Sequence, residues 1–260
     1  MKLCVCLKQV PAIGAGVMGE NGILRREQGA RRMNPHDSAA LEAALQLRDL
    51  TGGSVLVLSM GPRAAETMLR EALADGADEA LLLSDNCFAG ADVLATAYTL
   101  ACAIRRLGAF DRIVCGDFTT DGGTGHVAGE LAARLQLPYL GQVQRVDAQM
   151  VVQRLEGCEQ DVLLEAPAVL SVLSDAYTLR LPSLSGRLSA GQKPLSCLSA
   201  ADIGADPACC GLAGSATRVE KVVSAALPAG ARPMRLPSRE AAVLIGAALS
   251  ENDGGLRHGG

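Results

Sequence analysis

Residues 115–129 carry the densest run of small and polar groups in the chain. Cys115-Gly-Asp-Phe-Thr-Thr-Asp-Gly-Gly-Thr-Gly-His-Val-Ala-Gly129 holds five glycines, three threonines and two aspartates. Glycine lets backbone N–H groups come close to a phosphate. Threonine hydroxyls add hydrogen bonds, and a helix N-terminus just downstream favours an anion. The plainer reading is a βα connection, but such connections are normally shorter and poorer in glycine and threonine. The segment therefore reads as a nucleotide-binding loop. Within it, Gly123-x-Gly125-x-x-Ala128 formally matches a dinucleotide fingerprint. It starts well past the preceding strand, so the tight turn of that motif is absent. No Walker A lysine is present, which argues against an NTPase, and the Ser-Gly-Gly-x-Asp loop of ATP pyrophosphatases is missing too.

Other polar groups are sparser. Asn34-Pro35-His36-Asp37 opens a helix near the strand ends. By itself it reads as a cap, with Asn34 or Asp37 capping and Pro35 in the first turn. His36 and His126 both fall in loops at the C-terminal edge of the sheet, where either could meet a phosphate or a ring, although a lone loop histidine is more often solvated. His258 sits in a frayed tail. No Ser/His/Asp or Cys/His set assembles, no acid/base pair of carboxylates is evident, and the pattern is that of a binder and not of a stand-alone catalyst. The nine cysteines mostly lie in apolar runs, as Cys4, Cys6, Cys102 and Cys115 do. There they act as small hydrophobes. Cys209-Cys210 has no histidine or second cysteine pair at metal spacing and reads as incidental, so no metal site is expected.

The elements that must position these groups alternate between two periods. Leu3–Val10 reads as a buried strand, followed by a loop from Pro11 to Arg32 with a small hairpin around Glu20-Asn21-Gly22. A helix follows Asn34, with Ala40, Leu41, Ala44, Leu45 and Leu47 on one stripe, and ends at Gly52-Gly53. Ser54–Ser59, Glu79–Leu83 and Arg112–Cys115 read as further strands. Helices start at Gly61-Pro62 and span Ala91–Leu107 and Gly125–Leu135. This alternation predicts an α/β fold, a parallel sheet with helices on both faces, whose ligands bind at the C-terminal strand ends. Beyond Pro138, Gln144–Val151 and Val152–Glu165 form a hairpin-like excursion, and Pro167–Val172 is another buried strand. Ser174–Pro194 reads as a long surface loop, of a length that is usually functional. Ala200–Gly204 is a short turn, Ser238–Leu249 a helix and Asn252–Gly260 a disordered end.

Composition narrows the class. The chain has 260 residues, 49% hydrophobic and 20% charged, with a net charge of −4. That is enough to bury a sizeable core. No basic stretch supports nucleic-acid binding. Aromatic residues make up 2%, with no tryptophan, so stacking platforms are not expected. No apolar run reaches membrane-spanning length and the first residues lack the pattern of a signal peptide. The expectation is a cytoplasmic protein with no membrane insertion.

Taken in order, the motifs resemble the β (small) subunit of electron transfer flavoproteins. Leu3-Cys-Val-Cys-Leu-Lys8-Gln9-Val10-Pro11 is similar to that family's first strand and its Val-Lys-x-Val/Pro end. Asn34-Pro35-His36-Asp37-Ser-Ala-Ala-Leu-Glu-Ala-Ala is similar to its Asn-Pro-x-x helix start. Ser59-Met60-Gly61-Pro62, Ala74-Asp75-Gly76-Ala77-Asp78 and Gln160-Asp-Val162 followed by Pro167-Ala-Val-Leu-Ser171 resemble further segments. The stretch from Leu181 through Pro194 to Gly204 looks closest to the anaerobic branch linked to nitrogen fixation and carnitine-type metabolism. The resemblance covers roughly Lys2 to Gly204.

The resemblance implies an adenine-nucleotide α-hydrolase-like (Rossmann-like) domain over residues 1–204, including a docking loop at 174–194. A C-terminal arm, 205–260, would contact the partner subunit. It implies an electron carrier: with an α subunit that shares FAD, the pair takes electrons from a dehydrogenase, such as an acyl-CoA dehydrogenase, in some members within a bifurcating complex. The β subunit itself would bury an adenine nucleotide, a second FAD or AMP. Matched residue by residue, the nucleotide contacts are Cys6, Asn34, Pro35, His36, Asp37, Met60 and Asp121, Gly122, Gly123, Thr124, Gly125, His126 and Val127. Leu181, Pro182 and Leu184 would dock the redox partner. Departures bear on the nucleotide. Asp117 and Phe118 stand where the family commonly has a basic residue and Gln, and the Asn-Gln that precedes Thr-Gly in AMP binders is absent. The loop length is nearer to the bifurcating pattern, although Gly123 replaces an expected acid and His126 an expected Gln. The rival from another class is a nucleotide-sensing module akin to universal-stress proteins, which would end soon after its last strand and carry no docking arm.

Overall fold

The fold comes from a computed structural model that describes residues 1–12, 17–18, 24–25, 31–165, 167–218 and 236–252. The chain runs β1 (Lys2–Cys6), β2 (Gln9–Pro11), β3 (Val17–Met18), β4 (Leu24–Arg25), β5 (Arg31–Met33), α1 (Pro35–Thr51) and β6 (Ser54–Met60). It continues through α2 (Glu66–Asp75), β7 (Glu79–Leu83), α3 (Val93–Leu107), β8 (Arg112–Gly116) and α4 (Val127–Leu135). Then come β9 (Tyr139–Val146), β10 (Met150–Leu155), β11 (Cys158–Leu163), β12 (Ala168–Val172), α5 (Leu184–Ala190), β13 (Leu195–Leu198), α6 (Gly211–Gly214) and α7 (Ser238–Asn252). Two compact units result, Met1–Glu220 and Lys221–Gly260. In the second, α7 carries the exposed side chains Val243, Leu244 and Ile245.

The first unit is built on a nine-stranded sheet in the order β11-β10-β9-β12-β8-β1-β6-β7-β13. The strands from β9 through β12 to β13 are parallel, while β10 and β11 add an antiparallel edge. The chain builds outward from β1 in one direction through β6 and β7, then returns to add β8 and β12 on the other side. The topological switch point thus lies between β1 and β8, where an open α/β sheet leaves a crevice at its C-terminal edge. One core layer packs Leu41 and Leu45 of α1 and Met68 and Leu69 of α2 against Val5, Val57 and Leu82. The opposite layer packs Leu100 of α3 and Leu131 of α4 against Cys4, Leu58 and Ile113. Strands buried on both faces must be apolar throughout, which is why Val55, Leu56, Val57 and Leu58 run without alternation.

Several expectations change. Leu3–Val10 is not one strand: the chain leaves the sheet after Cys6, and β2 pairs with β5 instead. The break falls where the Lys8 N–H turns to the Asp37 carboxylate at 2.7 Å. β3 and β4 pair antiparallel, as a hairpin there requires, but its turn at Glu20-Asn21-Gly22 lies outside the described residues. The excursion after Pro138 is a three-stranded meander and not a hairpin, because β9 starts at Tyr139 and pairs with β12 as well as β10. The third helix begins at Val93, where the Asp92 side chain caps it by accepting the Ala95 N–H. The fourth begins at Val127 and not Gly125, since Gly125 is in the left-handed region at φ 67°. The segment 174–194 is not an open loop, because Ser183 caps α5 within it. Next to it β13 extends the sheet beyond β7. Asn252 closes α7, and the rest of the tail, with His258, lies outside the described residues.

Candidate functional site

The C-terminal ends of β1 and β8 converge on the N-terminus of α1. Gly116 makes this approach possible: a Cβ there would lie 2.5 Å from Asp37 Oδ1 and 2.7 Å from the His36 carbonyl carbon. The helix start is held by Asn34, which is fully buried. Asn34 occupies the cap position without making a side-chain capping bond. Its amide instead donates to the Phe118 carbonyl at 2.8 Å and to Asp37 Oδ1 at 3.0 Å, and its Oδ1 accepts the Thr120 N–H at 3.4 Å. Asn34 and Asp37 therefore tie three segments together: the end of β1, the start of α1 and the glycine–threonine loop. The expected cap is, in effect, a brace for that loop.

Two side-chain contacts bridge the same segments closer to solvent. His36 Nδ1 lies 2.6 Å from Asp117 Oδ1, and the His36 ring lies 5.6 Å from the Phe118 ring. Lys8 Nζ lies 2.8 Å from Asp121 Oδ1. Burial pushes the Asp121 carboxyl up, but the Lys8 ammonium and the Gly122 N–H more than offset this and leave it below the usual carboxylate range. Lys8 was legible only as part of a strand motif; its reach to Asp121 across the switch point depends on strand order.

The loop itself presents backbone donors at the surface. Residues 121–126 are exposed, and Gly123 and Gly125 adopt left-handed backbone at φ 66° and 67°. Gly125 is also tight, since a Cβ would lie 3.1 Å from the Asp117 carbonyl oxygen. The backbone N–H groups of Thr124, Gly125 and His126 donate to no other described residue, whereas Gly123 N–H is used by the Thr119 carbonyl at 3.0 Å. These three donors lead into α4, whose first turn adds the positive end of a helix dipole. Such a donor set fits a phosphate or pyrophosphate. Cys6 and Met60 are half-buried at the C-terminal ends of β1 and β6, both packed on the α3–α4 side of the sheet. Hydrogen bonding with Cys6, reinforced by burial, pushes the Cys4 and Cys115 thiols up, so they act as packing groups. Among the described residues no group of His, Cys, Asp and Glu side chains is arranged to hold a metal ion. No described helix is long and apolar enough to cross a membrane.

Burial of Asp37 has a pH consequence. It pushes the carboxyl up to about 7, against the lowering effect of the Asn34 and Lys8 hydrogen bonds. A carboxyl whose folded pKa lies above its unfolded value adds stability that is complete below about pH 4 and fades as pH rises through about 7. The expected contribution is of order 2–4 kcal/mol. Denaturation midpoints measured from pH 4 to 8 will fall less steeply for Asp37→Asn than for the unaltered chain, and parallel profiles would contradict this assignment.

Leu181, Pro182 and Leu184 lie away from the crevice. Leu181 and Pro182 are in an extended segment and Leu184 opens α5, which packs on α2. Leu181 and Leu184 are among the most exposed leucines of the described chain, at 90% and 75%.

Comparison with known proteins follows the same lines. Residues 22–203 match the electron transfer flavoprotein domain. A caffeyl-CoA reductase-Etf complex subunit, CarD, of Acetobacterium woodii is 37% identical over 225 residues, covering 84% of this chain and 86% of that one. Protein FixA of Rhizobium meliloti is 41% identical over 235 residues, covering 85% and 80%. An electron transfer flavoprotein subunit beta of Clostridium acetobutylicum is 36% identical over 256 residues, covering 96% and 98%.

Proposed function

The chain belongs to the electron transfer flavoprotein family, among its β subunits, and from that premise we propose that it is one half of a heterodimer in which it holds an adenine nucleotide of its own. The α subunit holds FAD; this chain's nucleotide lies in the crevice between β1 and β8. The observation that carries the reading is the run of unengaged N–H groups at Thr124, Gly125 and His126, shaped by left-handed backbone at Gly123 just before it and at Gly125 within it. These donors take the phosphates, the brace of Asn34 and Asp37 holds the loop open to them, and Cys6 and Met60 border the adenosine. The loop's length and the absence of the Asn-Gln of AMP binders favour a second FAD over AMP. Flavin, when bound, supplies the one- and two-electron chemistry, while the protein supplies position and electrostatics. No proton-transfer residue is then required of this chain.

The reading extends to partners. One relative is named as a subunit of a caffeyl-CoA reductase complex, which supports a flavin-dependent dehydrogenase or reductase of CoA esters, such as an acyl-CoA dehydrogenase, as the redox partner. Leu181, Pro182 and Leu184 are its docking residues, residues 205–260 contact the α subunit, and the complex works in the cytoplasm.

Co-expression with the α subunit tests the pocket. The pair Thr124→Val and Asp121→Ala removes a hydroxyl from the donor run and the carboxylate that fixes Lys8. Extracted nucleotide from the β site is expected to fall roughly tenfold or more, with the α-subunit FAD retained. Unchanged nucleotide content would show that the pocket lies elsewhere.

A further inference from the structure

The exposed leucines of α5 are not on a loose loop. Leu184 and Leu188 are one helical turn apart and share a face, and Leu188 is 74% exposed. Ser183 caps the helix by accepting the Gly186 N–H at 2.9 Å. Gly186 sits directly on the end of α2, where a Cβ would overlap the Ala74 carbonyl oxygen. Behind the leucines, the Arg70 guanidinium donates to the Ala190 and Lys193 carbonyls, both at 2.8 Å. Lys193 Nζ returns the contact, donating to the Leu73 and Ala77 carbonyls at 2.9 and 2.6 Å. Each helix thus has one orphan carbonyl of its last turn, Ala190 in α5 and Leu73 in α2, and one carbonyl just beyond it met by a cation from the neighbouring segment.

The front end is held by a different device. Arg180 immediately precedes Leu181. Its Nε and Nη2 donate to both oxygens of Glu42 at 3.0–3.2 Å, its Nη1 donates to Asp49 at 2.8 Å, and its backbone N–H donates to Glu42 at 3.0 Å. Glu42 is buried on α1 and steadied by the Gln46 amide at 2.9 Å. A bidentate fork on a buried carboxylate fixes direction as well as distance. Nothing in electron carriage or nucleotide binding calls for a fork of this kind so far along the surface.

We propose that Arg180 is a positioning residue for redox-partner docking: its fork on Glu42 and Asp49 fixes the backbone from which Leu181, Leu184 and Leu188 project into an apolar pocket of the partner dehydrogenase. The inference rests on the docking role proposed above and adds the residue that makes it rigid. A segment already ordered does not have to be ordered on binding, so the clamp lowers the entropic cost of the encounter. Lysine at 180 keeps the charge and loses the fork.

The test uses the intact heterodimer, with an acyl-CoA dehydrogenase and its acyl-CoA substrate as electron donor. Arg180→Lys and Glu42→Gln are expected to raise the KM for the heterodimer roughly tenfold. Turnover at saturation and nucleotide content stay unchanged, while amide exchange over 181–190 accelerates. Leu184→Ser is expected to raise KM without changing exchange. If Leu184→Ser raises KM and both clamp variants leave it unaltered while exchange accelerates, the positioning role is wrong and docking stands. If Leu184→Ser also leaves KM unaltered, the docking role is wrong and the positioning role falls with it. Should Arg180→Lys fail to fold, Glu42→Gln with wild-type nucleotide content decides.

Discussion

Replacing Asn34 with alanine is expected to empty the proposed nucleotide site and to destabilise the fold by about 1–3 kcal/mol. The side chain is fully buried and engages the Phe118 carbonyl, the Asp37 carboxylate and the Thr120 N–H. Alanine takes the partner from all three; the Asp37 carboxyl among them is buried, and an unsatisfied buried group costs its desolvation penalty. The cost is also structural. Phe118 and Thr120 lie at the root of the loop that presents Thr124 to His126, so the donor run loses its brace. Aspartate at 34 would retain an acceptor for Thr120 but place a second carboxylate 3.0 Å from Asp37, and is expected to do no better. Nucleotide extraction and thermal denaturation of co-expressed heterodimers check both effects. An Asn34→Ala complex with full nucleotide content would show that the loop holds its shape without the brace.

Gly116→Ala is expected to be at least as damaging, by a route that involves no hydrogen bond. The added methyl would lie 2.5 Å from Asp37 Oδ1, 2.7 Å from the His36 carbonyl carbon and 2.9 Å from the Asp37 nitrogen. Two of these are backbone atoms of the first turn of α1, which cannot step aside as a side-chain tip can. Either the helix start moves off β8 or the strand end shifts, and both pull His36 away from Asp117. Overpacking of this kind costs roughly 1–3 kcal/mol and occasionally more. The nucleotide should be lost in proportion to the displacement. Gly191→Ala supplies the control: its backbone is right-handed at φ −66° and nothing lies within 4 Å of the added Cβ. It should leave stability and nucleotide content as they are. If the two variants behaved alike, the close approach at Gly116 would not be what forms the crevice.

The central layers were legible because their chemistry is periodic. Predominantly apolar strands of five to seven residues, separated by helices with one greasy stripe, admit few arrangements, and β6, β7 and β8 fall within a residue of their expected bounds. Where composition loses its period, so did the reading. α5 and β13 are built from serine, leucine and glycine, and they form because Ser183 caps, Gly186 permits a close approach and Lys193 reaches α2. None of these is visible without the neighbour. The glycine–threonine loop stood out by its composition. Its bracing did not, since Asn34 and Phe118 are 84 residues apart and Lys8 and Asp121 are 113 apart. Such pairs follow from the switch in strand order between β1 and β8. Glu42 did leave one signal: an acid standing among the buried alanines of α1 needs a partner, and Arg180 lies 138 residues away.

A structure of the purified heterodimer that resolves its bound nucleotides bears most directly on the account. The expected result is an adenine nucleotide between the ends of β1 and β8, its phosphates on the N–H groups of Thr124, Gly125 and His126. Finding that loop facing bulk water, with every nucleotide held by the α subunit, would contradict it.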